Sequence, residues 1–394
     1  MAIALAIAMA IALSWPGLAH ALVLVPTNDE QVIERLPAVS GSRAELRRLR
    51  QRQAADPKAV GPSVALAARY LDEARGQGDP RYAGLAFAAL AAWPVPATAP
   101  DPVLLLQATL QQYVHDFETA AGNLERLVAR NPADAQAWLT LATVRRVQGR
   151  YAESDHACVR LLDVQAGPSD IYARACTAEN DSLRGEFQRA HDNITALLGR
   201  VRSDASARNW LLTTLAESEA RAGHPDQAEA AYRAAQAARP DAYTALSYAD
   251  FLLEAGRPAD ALAQLQDQKR TDAVLLRLAI AGTQAGTQTS TQASAAQART
   301  DVAELRQRMT QANQRPEARS AHAREAAMFA LWIDRSPLRA LQLARENVKH
   351  QREPLDVLVF ARAAASSQDS VALREVAALT QAMGLHDSRI DALL

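Results

Sequence analysis

Aromatic residues fill only 5 per cent of the 394 positions, cysteine only two, and neither sign of charge prevails, the net charge being -1. Each shortage removes a class of protein. Sparse aromatic and β-branched side chains leave little from which to build strands, while abundant alanine and an excess of Arg over Lys favour closely packed helices. A balanced charge sets up no field to draw in nucleic acid, so no nucleic-acid partner is expected. The strong catalytic signatures HExxH, GxSxG, GxxxxGK[ST] and GxGxxG are missing too, and the sequence reads as a non-enzyme without cofactors.

Cys158 and Cys176 are too few for a disulfide framework, and their separation fits no zinc-knuckle spacing. His156 and His191 lie near them in sequence but read as exposed helix residues, and no metal is expected. The one basic cluster, Arg43, Arg47, Arg48, Arg50 and Arg52, is broken by Glu45, Leu46 and Leu49 and reads as a solvated face of a leading helix.

Met1 to Val25 holds no Asp, Glu, Lys or Arg. An apolar run from Ala2 to Leu13, the breaker Pro16-Gly17 and the triplet Ala19-His20-Ala21 match a secretory signal peptide over 1–21, with cleavage after Ala21. Only the amino terminus supplies positive charge there, so an uncleaved anchor over 1–25 is the competing reading, and only that reading brings membrane contact. Export, to the periplasm or beyond, is the expected localisation. An oxidising compartment permits a bond between Cys158 and Cys176, with buried free thiols as the alternative.

What the chain has in quantity is repetition. Tyr151 follows Phe117, Trp138 follows Leu104 and Ala142 follows Ala108, each by 34 residues. Gly149, Tyr151 and Ser154 recur as Gly185, Phe187 and Ala190. A variant puts proline in the aromatic slot, as in Gly78, Pro80, Ala83; Gly223, Pro225, Ala228; and Gly256, Pro258, Ala261. Glycine suits the turn that ends one helix, and proline suits the first turn of the next, where its missing N–H has no partner to lose.

The best copy, 135–168, carries Trp138, Leu141, Ala142, Gly149, Tyr151, Ser154, Cys158 and Leu161 in order. This resembles the tetratricopeptide repeat. The resemblance implies an all-α solenoid of about seven or eight stacked helix-turn-helix pairs wound into a right-handed superhelix. It also implies a non-enzymatic scaffold that binds a peptide or protein segment on its concave face. A lead-in segment and N-terminal helix would span 22–59 and the solenoid 60–270, with its best copies over 101–270. A degenerate pair would span 271–316, and further degenerate pairs with a C-terminal cap 317–394.

Each pair must lean on its neighbours to bury its apolar stripe. Ala108, Ala142 and Cys176 mark one expected column of small residues, and Ala120, Ser154, Ala190, Ala228 and Ala261 another. Tyr151 and Phe187 are 36 residues apart, which points to two extra residues near Ser182–Gly185. Residues 282–298, rich in Gly, Thr, Ser and Gln, read as a polar loop.

Carried over from the family pattern, the exposed groove positions are Thr109 and Gln112, Thr143 and Arg146, Thr177 and Asn180, continued by Glu217, Arg221 and Asp250. The expected role is a protein-binding adaptor of the bacterial cell envelope. An assembly or secretion accessory of a membrane or polysaccharide-export complex is the second reading, and an enzyme with an unrecognised site the third.

Overall fold

The computed structural model describes residues 42–79, 81–164, 170–286, 292–312 and 323–394. The expected signal peptide over 1–21, the expected lead-in as far as residue 41, and Pro80 lie outside the described residues. From Arg48 onward the chain forms one compact unit, and of the preceding unit only the opening of the first helix is described.

Every regular element among the described residues is a helix. After α1 (Ser42–Ala55), successive helices pair off: α2 (Val60–Gln77) with α3 (Arg81–Ala89), α4 (Asp101–Tyr113) with α5 (Phe117–Arg130), α6 (Ala135–Val147) with α7 (Tyr151–Val164). Next come α8 (Ile171–Leu183) with α9 (Phe187–Arg200), α10 (Ala205–Ala222) with α11 (Pro225–Ala238), and α12 (Ala242–Glu254) with α13 (Pro258–Leu265). The series closes with α14 (Asp272–Ala285) and α15 (Gln292–Ala312), α16 (Ala323–Trp332) and α17 (Pro337–Asn347), α18 (Pro354–Ser366) and α19 (Ser370–Met383), then the short α20 (Ser388–Asp391). The protein is an all-α solenoid. Nine pairs can be paired off among the described residues, beyond the seven or eight that the sequence motifs suggest.

Local chemistry explains where these helices start and stop. Asp116, Asp134, Asp204, Asp241 and Asp369 cap helix N-termini by accepting backbone N–H bonds, and Pro225, Pro258, Pro337 and Pro354 occupy the first helical turn. The turn inside a pair is nearly invariant. Gly149, Gly185, Gly223 and Gly256 have positive φ, and the residue after each donates its N–H to the carbonyl five positions back: Arg150 to Arg145, Glu186 to Asp181, His224 to Glu219 and Arg257 to Leu252. This is the helix-ending bond that a left-handed residue makes available. His115 takes the same conformation between α4 and α5, with φ of 64°.

These turns fix the register, and they correct one expectation. From α6 and α7 to α8 and α9, the first-helix start, the turn glycine and the second-helix start all move by 36 residues. The two extra residues therefore fall before α8, not near Ser182–Gly185. The small-residue column of the first helices accordingly runs Ala108, Ala142, Ala178, Ala216, Ala249, all fully buried, with Ala178 rather than Cys176 in the third place. The second-helix column, Ala120, Ser154, Ala190, Ala228 and Ala261, is fully buried as expected. At these sites small side chains let neighbouring backbones approach.

The polar tract is also corrected. Residues 282–285 belong to α14 and 292–298 to α15, and only 287–291 lie outside the described residues. Gly282 and Ala298 explain the pairing, since a Cβ on Gly282 would sit 2.8 Å from the Ala298 Cβ. Small residues that look loop-like in sequence are what let these helices cross closely.

Later chain covers the row of turns made by earlier pairs. A Cβ on Gly78 would meet Thr271 at 2.8 Å, one on Gly149 would meet Met383 at 2.9 Å, one on Gly185 would meet His386 at 3.0 Å, and one on Gly223 would meet Ser388 at 3.2 Å. Backbone bonds stitch the same seam, Arg352 N–H to Val147 O at 2.7 Å and His386 N–H to Leu183 O at 2.9 Å. Tyr151 and Leu183 share one apolar core with residues of α14 and of α16 to α20.

Candidate functional site

Counting back from each left-handed turn residue places equivalent side chains on the first helices. Six residues before it stand Thr109, Thr143, Glu179, Glu217 and Asp250, all partly exposed. Thirteen residues before it, two helical turns earlier on the same face, stand Tyr172, Trp210 and Tyr243. First helices touch one another along this face: the Tyr172 and Trp210 rings lie 5.5 Å apart, Arg146 Nη2 is 3.0 Å from Glu179 Oε2, and Arg277 grips Asp250 with two bonds of 2.9 and 2.8 Å.

Of the expected groove residues, seven are partly exposed and two, Asn180 and Arg221, are buried; Thr177, eight residues before Gly185, stands out of register with Thr109 and Thr143. Thr109, Thr143 and Thr177 are partly exposed, but each hydroxyl donates to the carbonyl four residues back, at 2.8, 3.0 and 3.2 Å, so only their acceptor capacity faces outward. Gln112 and Arg146 are partly exposed as well. Asn180 is fully buried, its amide donating to Ser154 Oγ at 3.0 Å and Asp155 Oδ1 at 2.8 Å. Arg221 is 5 per cent exposed and donates to Ser182 Oγ at 2.8 Å. Neither is an exposed groove position. For Asn180 the cause is the register: with the extra residues ahead of α8, Glu179 takes the place equivalent to Thr143, and Asn180 turns toward α7. For Arg221 it is the crowded end of α10, where Ser218 and Ser182 close over the guanidinium.

The richest part of the face is around Glu217. Its Oε1 accepts both the Tyr243 hydroxyl at 2.8 Å and the Ser247 hydroxyl at 2.7 Å. Burial raises the Glu217 carboxyl against the opposing pull of Arg221 and the two hydroxyls. The Glu217 charge, burial and the more distant Glu353 and Glu179 together push the Tyr243 hydroxyl well above the usual tyrosine value. Tyr243 is nevertheless 63 per cent exposed and Tyr172 45 per cent, so both rings face solvent. Sequence reasoning missed this aromatic row. The spacing of Tyr172, Trp210 and Tyr243 from their turn glycines was the signal that could have shown it.

Repeated pairs with one turn geometry and two small-residue columns are the structural content of a known repeat. The family model for the tetratricopeptide repeat matches residues 105–169 and 213–273. These stretches are tetratricopeptide repeats. No curated protein sequence matches it. Among solved structures it is similar to a tetratricopeptide repeat protein from Parabacteroides merdae, at 14 per cent identity over 59 per cent of this chain and 89 per cent of that one, with a TM-score of 0.46. The anaphase-promoting complex assembly of Cut9 and Hcn1 is similar at 12 per cent identity over 90 and 67 per cent, TM-score 0.49. PilW, a type IV pilus biogenesis factor, is similar at 16 per cent over 52 and 89 per cent, TM-score 0.40. Proteins with these repeats generally serve as interaction scaffolds rather than enzymes, and the repeats generally bind protein partners.

Cys158 on α7 and Cys176 on α8 are bonded, with their Cα atoms 5.7 Å apart, so the free-thiol reading is set aside. The bond joins one repeat to the next across the connection that carries the two extra residues. His191 and His224 both contact Glu219, at 2.7 and 2.8 Å, and His156 packs edge-on to Trp138. Arg50 of the basic cluster donates to the Tyr70 hydroxyl at 2.6 Å and lies over its ring.

One buried charged cluster has strongly displaced titration. Asp356, pushed up to about 7 by burial, accepts from Asn347 Nδ2 at 2.7 Å and from the Glu353 backbone at 2.8 Å, with Arg324 3.4 Å away. These bonds build the cap of α18, and the Asp356 side chain is fully buried, which marks it as structural.

Proposed function

We propose that this protein is a non-enzymatic adaptor of the bacterial cell envelope that holds a segment of another protein along its first-helix face, the concave face of the repeat family. The observation that carries this reading is the double row on that face, Tyr172, Trp210 and Tyr243 beside Glu179, Glu217 and Asp250. Exposed aromatics offer large contact area at low entropic cost, and polar groups at a regular interval offer anchors for an extended backbone. Thr109, Gln112, Thr143 and Arg146 extend the same face toward the first pairs.

Photo-crosslinking in living cells tests it. A benzophenone side chain at Thr143 or Trp210 is expected to trap a partner, whereas one at Val159, exposed on the second helix α7, is not. Trapping at Val159 alone would overturn the reading.

Export is supported by the signal-like segment 1–21 and by the Cys158–Cys176 bond, which suits an oxidising compartment. Sequencing the mature amino terminus is expected to find Leu22 first. A chain that keeps Met1 in the membrane fraction favours the anchored form instead. Exposed apolar residues on the outer pairs, Leu85 on α3, Leu338 on α17 and Val371 on α19, favour the second reading, an accessory held within a larger membrane or polysaccharide-export assembly.

A further inference from the structure

The first-helix face of α8, α10 and α12 has one place where its electrostatics are unbalanced. Arg146 neutralises Glu179, and Arg277 neutralises Asp250. Among the described residues Glu217 has no ion-pair partner: both of its hydrogen bonds come from neutral hydroxyls, and both go to Oε1. The cation whose charge acts on it, Arg221, is buried and donates to Ser182. Three carboxylates, Glu217, Glu353 and Glu179, all bear on the Tyr243 hydroxyl.

Tyr243 gives this imbalance a shape. Its hydroxyl is spent on Glu217, which fixes the ring, and the ring stays 63 per cent exposed. An aromatic face beside an uncompensated carboxylate is complementary to an ammonium or guanidinium group. The ring quadrupole attracts the cation, and the carboxylate supplies a charge-assisted acceptor.

We propose that the segment bound on this face presents a lysine or arginine side chain to Tyr243 and Glu217, the cation lying on the Tyr243 ring and donating to Glu217 Oε2. Trp210 and Tyr172 then take the apolar residues that flank that cation. The inference rests on the reading that the face binds a polypeptide, and it names the chemistry of that polypeptide. The raised Glu217 carboxyl agrees with it, since a half-buried carboxylate without a counter-ion is what an incoming cation would relieve.

The test pans a phage-displayed library of random 12-residue peptides against the full chain, then measures an enriched peptide by fluorescence anisotropy. Enriched sequences are expected to contain Lys or Arg. Affinity is expected to fall at least tenfold in Glu217→Gln, in Tyr243→Ala, and when the peptide's Lys and Arg are replaced by Gln. Tyr243→Phe, which keeps the ring, should retain most of the affinity. Circular dichroism melts check that each variant is folded, and Tyr243, being largely exposed, tolerates replacement. Enriched peptides without a basic residue, or basic peptides bound equally by both variants, would overturn the cation site and leave peptide binding intact. No enrichment of any sequence would overturn both.

Discussion

Gly185 and His386 occupy touching positions although they come from the middle and the end of the chain: a Cβ on Gly185 would lie 3.0 Å from His386 Cγ, and the His386 N–H donates to Leu183 O at 2.9 Å. Gly185 is thus constrained twice, once by its φ of 83° and once by what lies over it.

Replacing it separates the two constraints. Gly256 has φ of 69° and nothing within 4 Å of the site of its Cβ. Gly256→Ala is expected to cost about 1 kcal/mol from the left-handed backbone alone, and Gly185→Ala roughly 1–2 kcal/mol more. Urea unfolding of the two variants measures the difference. Equal losses would mean that the contact with His386 adds nothing.

Loss of the disulfide should be felt throughout the middle repeats. Its two cysteines are 18 residues apart, a span for which closure restrains the unfolded chain by about 3 kcal/mol. Cys158→Ala with Cys176→Ala, or reduction of the native protein, is expected to remove about 2–4 kcal/mol in urea titration, with the midpoint shifted and the helical signal kept.

Acid should weaken the protein through Glu229. Arg257 at 2.6 Å and the Tyr248 hydroxyl at 2.9 Å hold its carboxyl down at about 2. A depressed carboxyl stabilises the fold above its ordinary value, near 4.3, and that contribution is lost as pH falls toward 2. Glu229→Gln is expected to flatten the stability profile over this window, by roughly 2–3 kcal/mol at most. An unchanged profile would contradict the assignment.

Asp356 should act with the opposite sign. Its folded carboxyl is raised to about 7, so the folded state holds a proton that the unfolded chain releases near pH 4. Its contribution is complete at low pH and fades as pH rises toward 7. Asp356→Asn keeps the Glu353 backbone bond in reach and cannot ionise, so the variant is expected to lose less stability than the parent between pH 4 and 7. Thermal melts in matched buffers read this directly.

Most of the architecture was legible because it repeats. The Gly–x–aromatic and Gly–x–Pro steps mark real turns, and the column from Ala120 to Ala261 is buried throughout. Register across the connection before α8 was not legible. Two residues added between α7 and α8 leave no local mark, and counting 34 from Ala142 lands on Cys176 when packing uses Ala178. That slip misplaced Thr177 and Asn180 and passed over Glu179. The tract after Gly282 misled for another reason: Gly and Ala lower the apparent apolarity of helices that pack tightly because those residues are small. The aromatic row was hidden because Tyr172, Trp210 and Tyr243 lie outside the repeat's own pattern, and only a count from the turns aligns them.

The covered turns at Gly78, Gly149, Gly185 and Gly223 change how this chain should fold. A solenoid whose units meet only adjacent units has low contact order and can zip up from any point or fray from its ends. Here Thr271, Met383, His386 and Ser388 close loops of well over a hundred residues, so the seam cannot form until the last helices exist. Folding is then slower than helical content suggests, and the last helices are locked to the middle. Cutting away the last helices would expose Tyr151 and Leu183 and turn one cooperative body into a string of separately melting repeats.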